Sequence, residues 1–223
     1  MASPGGRHMR VCLNALLYYP GELGGVETYF QNLLRYLPQV EPQHEYLVVG
    51  HDGNRGSLLK HGDPWRVEIL PYGRPSLGWA LRGAWLKLGG GDFLSPWFER
   101  LGVDVVHHPF TMLSPMEARV PTVLTFHDMQ QEYLPEFFSA RVLRERQRRF
   151  RHSTARATRI IAISEHVKKS LESRYQVPTE RVDTVHQGCA PEFRVLPDAD
   201  TTPLLRSLLG DHPPFATILL ECL

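Results

Sequence analysis

Short apolar runs alternate with longer amphipathic stretches along most of this chain. The runs fall at 10–17, 45–50, 65–70, 103–107, 122–126, 159–163 and 181–186. Several are continuously apolar rather than strictly alternating, which is the pattern of strands covered on both faces. Between them apolar residues recur at helical spacing, as with Phe30, Leu33, Leu34 and Leu37. Helices are predicted over 26–37, 77–88, 93–101, 140–157 and 165–175, with Ser164 placed to cap the last. A helix between consecutive strands is what a right-handed crossover needs. The predicted fold class is therefore α/β, an open, doubly wound and mostly parallel sheet.

Ligands of such sheets bind beyond the carboxyl ends of the strands. The residues to examine are therefore Gly24 and Gly25 after the first strand, His107 and His108 after the fourth, and His127 and Asp128 after the fifth. Ser164 and Glu165 follow the sixth, and Gln187 and Gly188 the seventh. Polar or glycine residues at five strand ends on one edge make a site. Gly24 and Gly25 open a predicted helix. A glycine pair there lets backbone approach a ligand closely, and a helix N-terminus offers free N–H groups to an anion. The pair reads either as a simple turn or as a cradle for a phosphate-bearing substrate.

Bulk properties narrow the class. The 223 residues are 42% apolar and 22% charged, ordinary for a globular protein of one large or two small domains. A net charge of +1 gives no global pull toward nucleic acid or membrane. Cys12, Cys189 and Cys222 form neither a disulfide framework nor a metal spacing, so a reducing compartment is expected. No apolar run has the length of a membrane span, and the start lacks a signal-peptide pattern. Residues 1–8 read as a disordered leader, with Met9 an alternative start. No internal repeat or low-complexity tract is visible.

His107 and His108 invite a metal reading. Neighbouring strand residues point to opposite faces, however, and no cysteine or carboxylate lies at a helpful spacing, so no metal is expected. Lining of an acceptor cleft and plain packing both remain open for them. Glu27 and Glu165 lie near the site edge, where either also complements a helix N-terminus. The segment 140–159 carries Arg141, Arg144, Arg146, Arg148, Arg149, Arg151, Arg156 and Arg159 against Glu145 alone. It reads as a solvated helix face or as a surface for an anionic partner, a lipid-diphosphate acceptor or an acidic membrane. Without interleaved stacking aromatics or a matching motif, nucleic acid is not expected. Trp79, Trp85, Phe93, Trp97 and Phe98 fall within 77–101, around Gly89, Gly90 and Gly91. Core packing of a crossover helix is the favoured reading, an interfacial helix the other.

Four segments carry a family resemblance: GGVETYFQNLL, VDVVHHPF, PTVLTFHDMQQEYLPEFF and RIIAISEHVKKSLESRYQVPTERVDTVHQGCAPEF. Their order resembles that in GT-B glycosyltransferases of family 4, over about residues 9–193. The last segment is the most specific. It resembles the end of the N-terminal, Rossmann-like domain of such enzymes, particularly bacterial ones acting on cell-surface polysaccharide. The resemblance implies a retaining transfer of a sugar from a nucleotide-sugar donor to a hydroxyl acceptor, a glycan or lipid-linked glycan. It implies no bound metal and no cofactor, since the nucleotide-sugar is a co-substrate.

By the match of motifs, the backbone at Gly24 and Gly25 approaches the donor diphosphate, with Ser164 and Gly188 on the same donor-binding side. His127 aligns with the family histidine near the transferred sugar. Its imidazole is suited to bond a sugar hydroxyl or to steady charge as the glycosidic bond breaks. Asp128 is placed to accept from the acceptor hydroxyl or to orient His127. Glu27, His107 and His108 fall on the acceptor side. A cytoplasmic protein, peripheral on the inner membrane face, is expected.

Enzymes of this family have two such domains around one cleft, and the second carries most donor contacts. Residues 9–195 match the first; 196–223, with a helix at 203–210, read as a linker and truncated tail. The expectation is one half of a GT-B fold, inactive alone because donor contacts are missing. The tail 212–223 departs from the family pattern in a way that a shifted reading frame repairs, so a frameshift or truncated gene is a further expectation. The alternative is a binding module, or a split-enzyme subunit that needs a separate donor domain. A nucleotide-dependent dehydrogenase is disfavoured, because no G-x-G-x-x-G follows the first strand.

Overall fold

The computed structural model describes residues 7–74, 76–88, 92, 94–116 and 119–188. Most of the expected leader, Gly89–Gly91, Phe93, Cys189, Cys222, the helix expected at 203–210 and the tail lie outside the described residues. Two compact units divide the chain, Met1–Gln187 and Gly188–Leu223, and the fold below is that of the first.

Seven strands form one sheet: β1 (Arg10–Asn14), β2 (Glu45–His51), β3 (Trp65–Leu70), β4 (Val105–His108), β5 (Thr122–Phe126), β6 (Arg159–Ala162) and β7 (Val182–Thr184). Their order is β3-β2-β1-β4-β5-β6-β7, and each neighbouring pair is parallel. The sequence places all seven strands correctly. The helices are α1 (Gly25–Val40), α2 (Arg55–Leu59), α3 (Leu77–Lys87), α4 (Ser95–Arg100), α5 (Gln130–Tyr133), α6 (Ala140–Arg156) and α7 (Glu165–Tyr175).

Strand parity explains the double winding. Leu13 and Val48 point to one face and pack with Phe30 and Leu34 of α1. Cys12, Leu47, Val49 and Val106 point to the other and pack with Leu94 and Phe98, around α4. Register pairs His108 with Leu124, so Leu124 and Phe126 share that second face. There they meet Phe150 of α6 and Val167 and Leu171 of α7. The first crossovers thus run over one face and the later ones over the other, as a chain that reverses direction at β1 and β4 requires. Burying Phe98 in this way is worth enough that truncation to alanine is expected to cost about 3–5 kcal/mol.

Several boundaries differ from the sequence reading, among them those of β1, β4, β7 and α1. β1 stops at Asn14 because the Leu16 N–H donates to Asn14 Oδ1 at 3.0 Å, turning the chain out of the sheet. β7 is shorter than 181–186, since a 3₁₀ turn over Thr179–Arg181 takes its start. α1 runs on to Val40 with Pro38 buried inside it.

The favoured core-packing reading of 77–101 needs correction. Phe98 is buried and Trp97 half-buried, but Trp79 and Trp85 are 45% and 53% exposed. Leu77, Leu81 and Leu88 are exposed beside them. The crossover from β3 to β4 contains two helices, and the shorter α4 fills the core position, which leaves the apolar residues of α3 outside.

Candidate functional site at the carboxyl edge of the sheet

Five strand ends meet along one edge. After β1 the chain turns through Gly24, held at φ 53° and ψ −131°, a region open to glycine alone. A Cβ on Gly24 or Gly25 meets nothing within 4 Å, so space adjoins both. The Val26 and Glu27 N–H groups donate to Leu23 O and Gly24 O at 3.2 and 3.0 Å. Those of Gly24 and Gly25 have no acceptor among the described residues, as the first positions of a helix leave them.

Glu27 braces this loop. Tyr18 Oη donates to Glu27 Oε1 at 3.0 Å, the Gly21 N–H to Oε2 at 2.8 Å, and Gln31 Nε2 to Oε1 at 3.3 Å. Its carboxylate is spent on the turn between β1 and α1, a role that sequence position alone leaves open.

His127, just past β5, is buried and held from two sides. Its Nε2 lies 2.8 Å from Pro109 O, an atom that only accepts, so Nε2 carries the proton and donates. Nδ1 then accepts from Gln187 Nε2 at 3.2 Å, beyond β7. Burial lowers the ring's pKa, against the opposing pull of Pro109 O and Asp128, and keeps it neutral. A neutral ring with its N–H engaged offers one acceptor nitrogen. Of the two roles suggested by sequence, hydrogen bonding to a hydroxyl suits a neutral ring. Asp128 is exposed and makes no hydrogen bond to His127; Pro109 and Gln187 orient the ring.

Tyr29 joins the glycine loop to this histidine. Standing one helical turn after Gly25, it presents its ring to His127 edge-on at 5.1 Å between centroids. Its hydroxyl bonds Thr125 Oγ1 at 3.0 Å, and that oxygen lies 2.7 Å from His107 Nε2. Sequence reasoning missed Tyr29, Thr125 and Asn14. Their signal was weak, a polar side chain at a position that periodicity assigns to packing.

His107 and His108 lie within β4, not beyond it, and both are buried. His107 faces α1. Burial and then the neighbouring His127 lower its pKa to about 4. His108 faces the opposite side, where burial and then His107 lower it to about 3. Ser164 caps α7, accepting from the Val167 N–H at 3.2 Å, as its position predicts. Glu165 is exposed in the first turn of that helix. Gly188 is the last described residue and is exposed. Among the described residues no three His, Cys, Asp or Glu side chains gather as a metal group. No helix among them is long and apolar enough to cross a membrane.

Parallel topology, two-sided helical cover and a glycine-bearing first turn define a Rossmann-like α/β domain. The profile of Glycosyltransferase Family 4 matches residues 23–193, and the chain belongs to that family. Among solved structures, Anabaena Alr3699/HepE in complex with UDP and glucose is similar at 21% identity and a TM-score of 0.50, covering 91% of this chain and 50% of that one. That likeness is one of fold, shared with about half of that chain. A glycosyltransferase from Rickettsia africae ESF-5 is 14% identical, with a TM-score of 0.47 and coverage of 93% and 52%. The chain therefore spans about half the length of the solved proteins that it matches. No curated protein sequence matches it.

Proposed function

We propose that this domain is the acceptor-side half of a retaining glycosyltransferase that moves a sugar from a nucleotide-sugar to a hydroxyl of a glycan or lipid-linked glycan. One observation carries the reading: Tyr29, one helical turn after the open N–H groups of Gly24 and Gly25, sets its ring against neutral His127, which has one acceptor nitrogen. The two N–H groups suit the oxygens of a diphosphate, with the helix end adding a favourable dipole. His127 Nδ1 suits a sugar hydroxyl, which displaces the Gln187 amide. Asp128, exposed at the same edge, is free to accept the proton of an acceptor hydroxyl. Ser164 belongs to the donor side, with the remaining donor contacts supplied by a second domain. The complex of Anabaena Alr3699/HepE with UDP and glucose supports this donor class.

The test is a titration of the chain with UDP-glucose and a panel of other nucleotide-sugars, followed by amide NMR. The expected result is shifts at Gly24, Gly25, Tyr29 and His127 for at least one donor. Shifts confined to other surfaces, or none across the panel, overturn the reading. In an enzyme completed with a donor domain, His127→Ala is expected to lower kcat at least tenfold, through a lost contact to the reacting sugar.

A second feature bears on where the reaction runs. The exposed Leu77, Trp79, Leu81, Trp85 and Leu88 give α3 an apolar surface of the kind that enters a headgroup layer. We infer peripheral contact with the inner face of a membrane, which also brings lipid-linked acceptors within reach.

A further inference from the structure

Under the crossover from β4 to β5, on the face opposite α1, donors and positive charge outnumber their acceptors. Arg82 of α3 forks onto Asp92, with Nε donating to Oδ1 at 3.0 Å and Nη2 to Oδ2. The Leu94 N–H also donates to Asp92 Oδ1, at 3.2 Å, so three donors converge on this buried carboxylate. Arg82 Nη2 reaches on to Ser114 Oγ at 3.5 Å. Ser114 is fixed in turn by the last residues of β1 and β4. Asn14 Nδ2 donates to its carbonyl, and its own N–H donates to His108 Nδ1 at 3.4 Å. With Nδ1 accepting, the His108 proton sits on Nε2, which is buried and has no partner among the described residues.

Arg149 of α6 faces the same crossover. The Leu113 N–H donates to Ser153 Oγ at 3.0 Å, which pins α6 one residue before Ser114. Arg149 stands one turn before Ser153 on that helix face. Arg149 is half-buried, and its guanidinium has no hydrogen bond or ion pair among the described residues. Glu145, one turn earlier still, is engaged by Arg148 at 3.3 Å. Burial lowers the pKa of Arg149. Glu145 opposes that shift, while Arg148 and Arg82 add to it, which places Arg82 within electrostatic reach. Arg82 is thus paired with Asp92, whereas Arg149, within its electrostatic reach, has no carboxylate hydrogen-bonded to it among the described residues. Such an arrangement leaves a shielded positive charge and several donors unsatisfied, and an oxyanion supplies both missing features.

We propose that Arg149 and Arg82, with the Ser114 hydroxyl, form a phosphate-binding site, for a phosphate either free or esterified. Guanidinium forks match phosphate oxygens in pairs, and the Arg82–Asp92 pairing holds one fork in a fixed orientation. The site adjoins the carboxyl ends of β1 and β4 but lies on the other face from Tyr29 and His107. Assigning the phosphate to the sugar acceptor rests on the transferase reading; the binding site itself does not.

The experiment is thermal unfolding of the full chain in inorganic phosphate and in pyrophosphate, against chloride at matched ionic strength. Wild type is expected to show a saturable rise in Tm with either anion. Arg149→Gln is expected to be no less stable than wild type in chloride, since it relieves repulsion from Arg82, and to lose that rise. Arg144→Gln, on an exposed part of the same helix, is expected to keep it. Arg149→Lys, which keeps the charge but not the fork, is expected to bind at least threefold more weakly. Absence of an anion-specific rise in wild type, its persistence in Arg149→Gln, or an equal loss in Arg144→Gln overturns the proposal.

Flotation with phosphatidylglycerol or phosphatidylcholine vesicles separates the sources. Loss of phosphatidylglycerol binding in Arg149→Gln assigns the phosphate to a lipid headgroup. Unchanged flotation with a lost Tm rise assigns it to a soluble ester. None of these measurements needs sugar transfer, so a failure of the transferase reading remains distinguishable from a failure of this one.

Discussion

At Gly24 the backbone takes a positive φ that an L-residue adopts only with strain, and the next residue opens a helix onto empty space. Gly24→Ala is therefore expected to destabilise the chain by about 1–2 kcal/mol, measured by urea unfolding, and to weaken nucleotide-sugar shifts at the loop. Glu27 acts on the same turn by another route. Its carboxylate gathers donors from Tyr18, Gly21 and Gln31. Glu27→Gln keeps the shape but weakens the charge-assisted bonds and turns one acceptor into a donor, at an expected cost of about 1–3 kcal/mol. A loss of nucleotide binding with unchanged stability in that variant would instead place the carboxylate at the ligand. Cys12 needs no functional account, since complete burial pushes its thiol far above its ordinary pKa and keeps it protonated.

The two apolar helices of the β3–β4 crossover behave as opposites. α4 drives Phe98 into the core, whereas α3 leaves its tryptophans about half exposed. Trp79→Gln with Trp85→Gln is therefore expected to change stability by less than about 1 kcal/mol, because neither ring is buried. The same pair of changes is expected to abolish binding to vesicles. Unchanged flotation of the double variant, or a large fall in its Tm, removes α3 from the membrane reading. α6 divides its arginines in a similar way. Arg148 pairs with Glu145, while Arg146 and Arg151 stack on Phe138 and Tyr175 at 4.8 and 5.0 Å. A run that reads as one solvated face thus contains stacked, paired and unpaired members.

Across the whole molecule, buried histidines couple the sheet to pH. Unfolded, His107 and His108 take a proton near pH 6.5; folded, they hold out to about 4 and about 3. Between those limits the unfolded chain binds more protons, so acid favours unfolding. Stability is expected to be flat above about pH 7 and to fall as pH drops from 6.5 toward 4. The slope approaches about 1.4 kcal/mol per pH unit for each ring. Urea unfolding at several pH values measures it. His107→Gln, which keeps a polar partner for Thr125, is expected to reduce the slope; a slope unchanged in that variant shows that other groups carry the acid sensitivity.

Local pattern determined a great deal. The seven strands, the cap at Ser164, the glycine turn and the edge on which the polar residues gather all follow from periodicity and from the parity of a parallel sheet, which are properties of neighbouring residues. Short helices such as Arg55–Leu59 escaped because too few turns exist to show a period. What the tertiary structure alone decided concerns partners far apart in sequence. It spent Glu27 on a loop and fixed His127 between Pro109 and Gln187. It also exposed α3 and left Arg149, within electrostatic reach of Arg82, without a hydrogen-bonded carboxylate among the described residues. A side chain's chemistry depends on the donors, charges and solvent that surround it in the folded chain, and those arrive by packing between distant segments.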